Sequence, residues 1–323
     1  MTSNRSVVIN GDLGSGKTTV SVGVAQRLGL DRISIGDLYR KMAQERGMTA
    51  LQLNLHAELD DEVDGYVDQL QRGIAESGEQ LVVDSRLAWA FFTNAFKVHL
   101  ITDPDVAAGR VLARPASDVE RYETVEEAQK RLKSRSDSER ARFISRYGVD
   151  KHRLRNYHLV CDTTRAAPDE IVEQIVAAYE GRLWEPVLHD SPPLLLLDPG
   201  RVFPTKDLAD LPGIWDEEFA ARVAAAGPMA LAPISVGRAD SQFYALDGHE
   251  QLSAAVRTNF TLVPAVLVAE MAEHVGGVTA ERYFAMQASA GRIQEWERAH
   301  KIELPLPDTL PGSLQQTPAI PPR

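Results

Sequence analysis

A glycine-rich turn near the start of the chain has the residue types and spacing that hold phosphate groups. Glycines let backbone N–H groups converge on phosphate oxygens, and a helix that begins at the turn adds partial positive charge. A following lysine can reach the β- and γ-phosphates of a nucleotide, and the next hydroxyl can bind Mg²⁺. The residues are Gly11, Asp12, Leu13, Gly14, Ser15, Gly16, Lys17 and Thr18, followed by Thr19. They match G-x-x-x-x-G-K-[ST] throughout and predict that the chain binds ATP with Mg²⁺.

An aspartate lies at the end of a second apolar run that is typical of a buried strand. The segment LVVDS places Asp84 after three apolar residues. An aspartate in that position next to a phosphate loop commonly holds Mg²⁺, directly or through water. Asp84 and Thr18 are therefore the predicted metal ligands. The alternative is an aspartate that only caps a turn.

Two further segments carry groups that could bind a second phosphate. A Ser-x-Gly turn at Ser34 and Gly36, with Arg40 one helical turn later, forms a compact anion site. A long helical pattern farther on places Arg135 and Glu139 on one face with other arginines. That face also includes Arg131, Arg142 and Arg146, while Arg110 and Arg114 are spaced i, i+4 on the preceding helix.

Phosphoryl transfer needs such cations to neutralise charge on the moving group, together with a lid that excludes water. The arginine helix lies between the fourth and fifth predicted strands, where a lid would fold. A solvated helix with surface salt bridges would give the same pattern, and in isolation that alternative is the commoner one.

These residues must be positioned by a sheet. Short apolar runs alternate with helical patterns over the first 180 residues, which predicts an α/β fold with a five-stranded parallel sheet and helices on both faces. The predicted strands are 6–10, 32–35, 80–84, 97–101 and 157–161. Helix ends are marked by Gly29, by the capping box TVEE at 124–127, and by Pro168 and Gly181.

The composition changes near residue 184, where prolines cluster. We predict a domain at 1–183, a linker at 184–193, a smaller α+β domain at 194–300, and a proline-rich disordered tail at 301–323. Strands of the second domain are expected at 194–197, 233–236, 243–246 and 264–268. Helices are expected near 216–226, 249–258 and 279–300.

The totals narrow the class of protein. The 323 residues carry a formal net charge of −11, which makes DNA an improbable partner because binding needs a positive surface. The single cysteine, Cys161, excludes an internal disulfide and is expected to be plain core. No stretch approaches the ~20 apolar residues of a membrane span. We expect a cytoplasmic protein without a membrane partner.

Five segments of residues 5–180 resemble the cytidylate kinases, in particular their shorter variant. They follow in family order at family spacing, and together they are far more specific than the phosphate loop alone. The segments are GDLGSGKTT, SIGDLYRKMAQERGMT, VVDSRLAW, SRSDSERARFISRYGVD and YHLVCDTT. The resemblance implies a P-loop NTPase fold and ATP-dependent phosphorylation of a nucleoside monophosphate, with CMP or dCMP favoured.

The resemblance also implies roles for individual residues. Ser34, Gly36 and Arg40 would contact the nucleoside monophosphate. Arg86, Arg135 and Arg142 would hold its phosphate and the transferring group, and Glu139 would orient these arginines or a sugar hydroxyl.

Two departures from the family affect the acceptor pocket or the lid. Ser85 replaces a usual glycine, and ARPASD (113–118) stands in place of a usual Arg-Glu pair. Asn54, His56 and Glu58 could contact a base, although an ordinary exposed acidic helix start explains them better.

Residues 190–270 resemble a ParB/sulfiredoxin-type domain. In that fold a Gly-His turn opens a helix whose N-terminus binds nucleotide phosphate, and Asp247, Gly248 and His249 match it. Glu250 and Gln251 stand where the family usually has an arginine, which should weaken anion binding. The alternative is a domain that packs on the kinase or forms a homodimer.

We therefore predict a two-domain nucleoside monophosphate kinase in which Lys17, Arg86, Arg135 and Arg142 act on the phosphates. One alternative is a kinase for another small acceptor, such as free serine or a modified nucleotide. The other is a nucleotide-binding regulatory protein with a ParB-like partner-binding domain. The intact lysine and arginine set argues against a role in binding alone.

Overall fold

The computed structural model describes residues 5–48, 61–113, 122–181, 192–205, 221–222, 225–291 and 298. Within these ranges it describes every side chain except those of residues 39–40, 61–64 and 228. The chain divides into two compact units, Met1–Pro193 and Leu194–Arg323, which we call the first and the second unit.

The first unit is built on five parallel strands. Their bounds are β1 Val7–Gly11, β2 Asp31–Ser34, β3 Leu81–Asp84, β4 Phe96–Ile101 and β5 Leu159–Asp162. The order across the sheet is β2-β3-β1-β4-β5, and every pair is parallel. Because parallel strands all end at one edge, the turns after β1 and β3 lie side by side. The predicted α/β class with a five-stranded parallel sheet is confirmed.

Helices connect these strands. Their bounds are α1 Lys17–Leu28, α2 Ile35–Glu45, α3 Asp61–Glu76, α4 Ala88–Phe91, α5 Pro104–Leu112, α6 Val125–Tyr147 and α7 Pro168–Glu180, with a 3₁₀ turn at Leu154–Asn156. Local chemistry sets several of their ends. Gly29 ends α1 in the left-handed region, and the Thr124 side chain accepts from the Glu127 N–H at the start of α6. These predicted ends are confirmed.

The start of α2 differs from the prediction. The run 32–35 was expected to be entirely strand, but β2 ends at Ser34 and Ile35 is already helical. The Ser34 side chain accepts from the Asp37 N–H at 3.2 Å and so caps the helix. A serine cap ends the strand one residue early, because its hydroxyl satisfies an N–H that the helix leaves unpaired.

The core of the first unit lies on the central strands. Val7, Val8 and Ile9 have no exposed surface, as expected for a strand covered on both faces. Cys161 on β5 is also fully buried. Burial, and next the charge of Asp162, raises the pKa of the Cys161 thiol well above its usual range. The thiol is therefore unreactive core, as expected.

The described residues of the second unit include a mixed sheet and the helices α8 and α9, whose bounds follow the strands below. The strands are β6 Leu194–Leu197, β7 Val202–Pro204, β8 Ile234–Ala239, β9 Gln242–Asp247, β10 Val263–Glu270, β11 His274–Val275 and β12 Val278–Thr279. The helices are α8 His249–Arg257 and α9 Ala280–Ser289, with 3₁₀ turns at Pro199–Arg201 and Pro228–Ala230. The order β6-β10-β8-β9-β7 alternates antiparallel and parallel pairs.

Four of these strands match the predicted ones to within a few residues. Sequence reasoning missed β7 and the β11–β12 hairpin because each is only two or three residues long. None of the described helices has the length and apolar character that crossing a membrane would require.

Several predictions fall outside the described residues. These are most of the linker 184–193, most of the helix 216–226, residues 292–297 and 299–300 of the helix 279–300, the tail 301–323, residues Asn54, His56 and Glu58, and the segment 114–118 with Arg114. The prediction of one helix over 279–300 was too long, because α9 ends at Ser289 and Gly291 takes a left-handed conformation just after it.

Candidate active site

The glycine-rich turn links the end of β1 to the start of α1. Gly14 and Gly16 both adopt left-handed backbone conformations, with φ of 82° and 79°. The turn is tied to the neighbouring strands, since the Asp12 N–H donates to the Leu100 carbonyl at 2.8 Å. The Thr163 hydroxyl donates to the Ser15 carbonyl at 3.0 Å. The loop is thus held from β4 and from the segment after β5.

The glycines of this loop fit a phosphate cradle. A side chain at Gly11 would meet Ser15 Oγ at 2.7 Å, and one at Gly14 would meet Ala107 at 2.8 Å. Among the described residues other than its chain neighbours, no atom lies within 4 Å of the position a Cβ would take at Gly16. The tight positions shape the backbone, and the open one leaves room for an anion at the N-terminus of α1.

Lys17 faces the end of β3. Its ammonium lies 3.8 Å from Asp84 Oδ1, and the Asp84 side chain is only 6% exposed. The other carboxylate oxygen, Oδ2, accepts from Arg32 Nη2 at 2.7 Å. Arg32 also donates to the Ser21 hydroxyl at 2.7 Å. Asp84 therefore joins the loop lysine to an arginine on β2, and Thr18 lies beside Lys17 at an exposed position.

The environment of Lys17 weakens its hold on a proton. Burial, and next the positive charge of Arg86, lowers the pKa of Lys17 to about 8. Asp84 and Glu139 oppose this change and Lys151 adds to it. Each of these groups acts on the lysine through space. Arg86, Asp84 and Glu139, three of the predicted substrate-binding residues, therefore lie close enough to the loop lysine to act on its charge.

Glu139 on α6 is the centre of a cluster of cations. Its Oε1 accepts from Arg86 Nη1 and lies 3.5 Å from Arg135 Nε. Its Oε2 accepts from Lys151 Nζ at 3.0 Å. The glutamate and the lysine are both buried, with side chains 8% exposed. The structure thus brings together Arg86, Arg135 and Glu139, which were predicted to act together.

The neighbouring cations keep the buried Glu139 carboxyl in its ionised form. Burial alone would raise the pKa of Glu139, but Arg86, Lys151 and Arg135 outweigh it and lower the pKa to about 2. The carboxylate is ionised at neutral pH. It is the partner that the buried Lys151 ammonium needs, and it also attracts Arg86 and Arg135, whose side chains are each 37% exposed.

A second carboxylate lies within the loop itself. Asp12 Oδ1 is 3.5 Å from Nε2 of His99, a β4 residue that is 2% exposed. The His99 ring is stacked on Tyr157 at 4.5 Å between centroids. Burial would raise the pKa of Asp12, but the hydrogen bond and charge of His99 hold it well below its usual range.

Arg142 lies elsewhere on α6. Its guanidinium lies over the Phe143 ring at 5.8 Å, and no carboxylate of the described residues pairs with it. The Arg40 side chain lies outside the described residues, although its backbone belongs to α2. Gly36 lies in the first turn of α2, next to Ser34.

Three other arginines of these helices have partners outside the Glu139 cluster, and their role in a lid stays a prediction. Arg131 pairs with Glu127 at 2.8 Å on an exposed helix face. Arg146 lies 3.8 Å from Asp68, and Arg110 donates to Thr163 and neighbouring loop atoms.

Ser85, which replaces the family's usual glycine, is a structural residue here. Its hydroxyl accepts from the N–H groups of Leu87 and Ala88, at 3.2 and 3.1 Å, and donates to Gln71 Oε1 at 3.0 Å. It therefore caps the short helix α4 just after Arg86 and links it to α3.

The predicted second site has a different character. Gly248 is left-handed at the start of α8, and Asp247 before it is exposed. The His249 side chain is 3% exposed, and its Nε2 accepts from the Thr205 N–H at 3.1 Å. The histidine thus ties α8 to the end of β7.

Sequence reasoning missed three charged or polar residues of the first site: Arg32, His99 and Lys151. Nothing in the local pattern of Arg32 or Lys151 distinguished them, because strand and turn residues of these types are usually solvated. For His99, the position of a polar residue inside the apolar run KVHLI was an available signal.

A phosphate loop after the central strand of a parallel sheet, with a lysine and paired arginines at the carboxyl edge, defines a P-loop phosphotransferase. A family model described as an AAA domain matches residues 7–144. The cytidylate kinase of Natronomonas pharaonis is 39% identical over 178 residues, covering 54% of this chain and 90% of that protein. The cytidylate kinase of Archaeoglobus fulgidus is 35% identical over 175 residues, covering 54% and 94%.

With its first half, this chain belongs to the cytidylate kinase family. That membership confirms the prediction that it is an enzyme of the kinase class. Shikimate kinase from Bacteroides thetaiotaomicron aligns with 55% of this chain and 98% of its own at 16% identity and a TM-score of 0.41. The fold assignment does not depend on that weak likeness.

Proposed function

We propose that the chain is a nucleoside monophosphate kinase that transfers the γ-phosphoryl group of ATP to CMP or dCMP. The observation that carries this proposal is the cluster at Glu139, where Arg86, Arg135 and Lys151 meet one buried carboxylate. The charges of this cluster act on Lys17 of the phosphate loop. One cationic group for the donor and several for a second phosphate is the arrangement such a transfer needs.

On the donor side, the loop amides and Lys17 bind the β- and γ-phosphates of ATP. The loop residues from Gly11 to Thr19 are those predicted for this role. Bound phosphate raises the pKa of Lys17 again, because the anion favours the charged amine. The lysine is therefore protonated in the complex over the neutral range.

Mg²⁺, when bound, neutralises charge on the β- and γ-phosphate oxygens. Thr18 and Asp84 are the residues proposed to hold it. Asp84 Oδ2 already accepts from Arg32 at 2.7 Å, so the carboxylate fits a role through water better than direct ligation. In the described part of the chain no three histidine, cysteine or acidic residues cluster as metal ligands. The Thr18 hydroxyl and the Asp84 carboxylate suit Mg²⁺, because this ion keeps several bound waters and also binds phosphate oxygens.

On the acceptor side, Arg86 and Arg135 bind the monophosphate and the transferring group. A guanidinium has five N–H donors, so a bond to Glu139 does not exhaust its capacity. Ser34, Gly36, Arg40 and Arg142 are proposed to complete the acceptor site.

The chemistry balances without a proton. An oxygen of the acceptor phosphate, ionised at neutral pH because its second pKa is about 6, forms a bond to the γ-phosphorus. The bond from that phosphorus to the bridging oxygen of ADP breaks. No general base is required, and the arginines spread the charge of the transition state.

The proposal that the acceptor carries a cytosine base rests on similarity to relatives and not on a contact of the described residues. Relatives that match most of their own length carry the name cytidylate kinase. The distinguishing experiment is ADP release from ATP and Mg²⁺ with a panel of nucleoside monophosphates and free serine. Turnover with CMP or dCMP that disappears in Lys17→Ala supports the proposal. Turnover only with serine or another acceptor, or ATP binding without transfer, contradicts it.

For the second unit, we infer a domain of ParB/sulfiredoxin type in which the His249 turn is packed and does not bind nucleotide. The observation is the buried His249 ring with its bond from Thr205. The acidic residue Glu250 in the first turn of α8 also disfavours an anion there. Its role is then packing or formation of a homodimer, which sedimentation would detect.

Equilibrium binding of ATP and CTP to Lys17→Ala tests this inference, because that variant disables the first site. We expect no residual binding. Binding that a further His249→Gln change removes would show that the second unit holds a nucleotide.

A further inference from the structure

Lys151 lies in the turn between α6 and β5, and its burial is unusual for a lysine. The residue is only 6% exposed. A lysine almost never buries its ammonium unless that group is paired. The partner is Glu139 Oε2 at 3.0 Å, and the Phe143 ring lies 6.0 Å from the same ammonium. Lys151 is therefore part of the site and not a surface residue.

The turn is anchored on both sides of Lys151. Asp150 accepts two hydrogen bonds from Arg140 Nε and one from Nη2, at 3.0, 3.1 and 2.6 Å. The Lys151 carbonyl accepts from the Tyr157 hydroxyl at 2.8 Å, and Tyr157 in turn accepts from Asn10. Asn10 is the residue directly before the phosphate loop. The backbone that carries the lysine is thus tied to the loop.

Glu139 divides its two oxygens between different partners. Oε1 faces the two arginines Arg86 and Arg135, and Oε2 faces Lys151. A carboxylate with both oxygens available binds a guanidinium as a fork, through two parallel bonds. Lys151 takes one acceptor position of the second oxygen and draws it away from the arginines, which disfavours a fork with either of them.

We propose that Lys151 is a positioning residue of the acceptor site, which sets the orientation of Arg86 and Arg135 through Glu139. This inference rests on the proposed function, because it assigns the two arginines to an acceptor phosphate. Without the ammonium, Glu139 turns both oxygens to an arginine and draws its guanidinium away from the acceptor.

The experiment compares Lys151→Met and Lys151→Arg in the full chain, each with and without Glu139→Gln. Lys151→Met should raise the KM for the acceptor by ~100-fold, the scale of a misplacement of about 1 Å in a site. The KM for ATP should change less than about twofold, and Lys151→Arg should recover most of the loss, because its charge can still occupy Oε2. In the Glu139→Gln background, Lys151→Met should add almost nothing.

Lys133→Met is the matched control, since that lysine is 65% exposed and pairs with Asp137 on α6. It should behave as wild type. Full additivity of Lys151→Met and Glu139→Gln would overturn the proposal, as would equal effects on both KM values.

A readout without turnover separates this inference from the proposed function. In a carboxyl-labelled protein, the Glu139 pKa should rise in Lys151→Met and stay low in Lys151→Arg. This titration also covers a Lys151→Met variant that folds poorly, because Lys151→Arg then carries the comparison with wild type. An unchanged Glu139 pKa in Lys151→Met overturns the positioning role. An inactive wild type with the expected titration contradicts the proposed function alone.

Discussion

Two turns of this chain end a strand and begin a helix at a left-handed glycine. Gly16 precedes α1 with φ of 79°, and Gly248 precedes α8 with φ of 81°. Because the N-cap residue of each helix is a glycine, no N-cap side chain accepts from the first N–H groups of either helix. By backbone geometry alone, both turns present N–H groups that could hold an anion.

The two turns differ in what lies over the glycine. At Gly16 no atom of the described residues beyond its chain neighbours is within 4 Å of a Cβ position, whereas at Gly248 Ile234 lies at 2.8 Å. The next residue is the loop lysine, Lys17, in one turn and the buried His249 in the other. The comparison teaches that a helix N-terminus becomes a binding site only where the surrounding packing leaves it open and adds a cation.

The largest effect should come from removing the cation of the open turn. Lys17→Ala should lower kcat/KM by about 10³-fold, the scale for loss of one preorganised charge at a reacting phosphate. The measurement is ADP release under saturating acceptor. Lys133→Ala, an exposed lysine on α6, is the control and should retain activity.

Substitutions at Gly16 and Gly248 should separate an effect on ATP binding from an effect on stability. Gly248→Ala should destabilise the second unit by ~2–4 kcal/mol, because a left-handed alanine and overpacking against Ile234 add. Gly16→Ala should cost about 1–2 kcal/mol from the backbone alone but should also weaken ATP binding strongly. Thermal unfolding and ATP titration of both variants measure this. Equal effects of the two changes on ATP binding would contradict the distinction between the turns.

The pH profile should show the lowered Lys17 pKa. The free enzyme has Lys17 near pKa 8, so kcat/KM for ATP should be level below that pH and fall about tenfold per unit above it. The kcat profile should fall at higher pH, because bound phosphates raise the lysine pKa. Lys17→Arg should remove the fall of kcat/KM near pH 8, because an arginine stays protonated there. A flat kcat/KM from pH 7 to 10 in the wild type would argue that Lys17 keeps its ordinary pKa.

The smallest effect on catalysis should come from the packed turn. His249→Gln should lower thermal stability, because Thr205 loses a buried partner, by about 1–3 kcal/mol. It should leave kcat/KM for ATP and acceptor within about twofold at temperatures where the protein is folded. Calorimetric unfolding measures the loss of stability and ADP release measures kcat/KM, with Glu250→Gln as a surface control.

Sequence reasoning predicted the features that depend on neighbours along the chain. The apolar run at Val7–Ile9, the helix end at Gly29 and the cap at Thr124 follow from local chemistry, and the structure has them. The phosphate loop is local as well, because its glycines and Lys17 fall within eight residues.

The rest of the site depends on residues that meet only after folding. Arg32 and Asp84 are 52 positions apart and Arg86 and Glu139 are 53 positions apart, so no spacing rule connects them. Arg131 is the contrast, since it pairs with Glu127 four residues earlier on the same helix, as i, i+4 spacing allows.

By itself, the sequence determined the strand–loop–helix that holds a nucleotide phosphate, since hydrophobic patterning and left-handed glycines act over a few residues. Only the tertiary structure decided which charges surround that loop and whether the similar turn at Gly248 stays open. The physical reason is burial: the fold takes the charges of Glu139 and Lys151 out of water, where each needs a partner, and the half-exposed Arg86 comes to Glu139 from another element. At Gly248 the same force packs Ile234 and His249 over the turn.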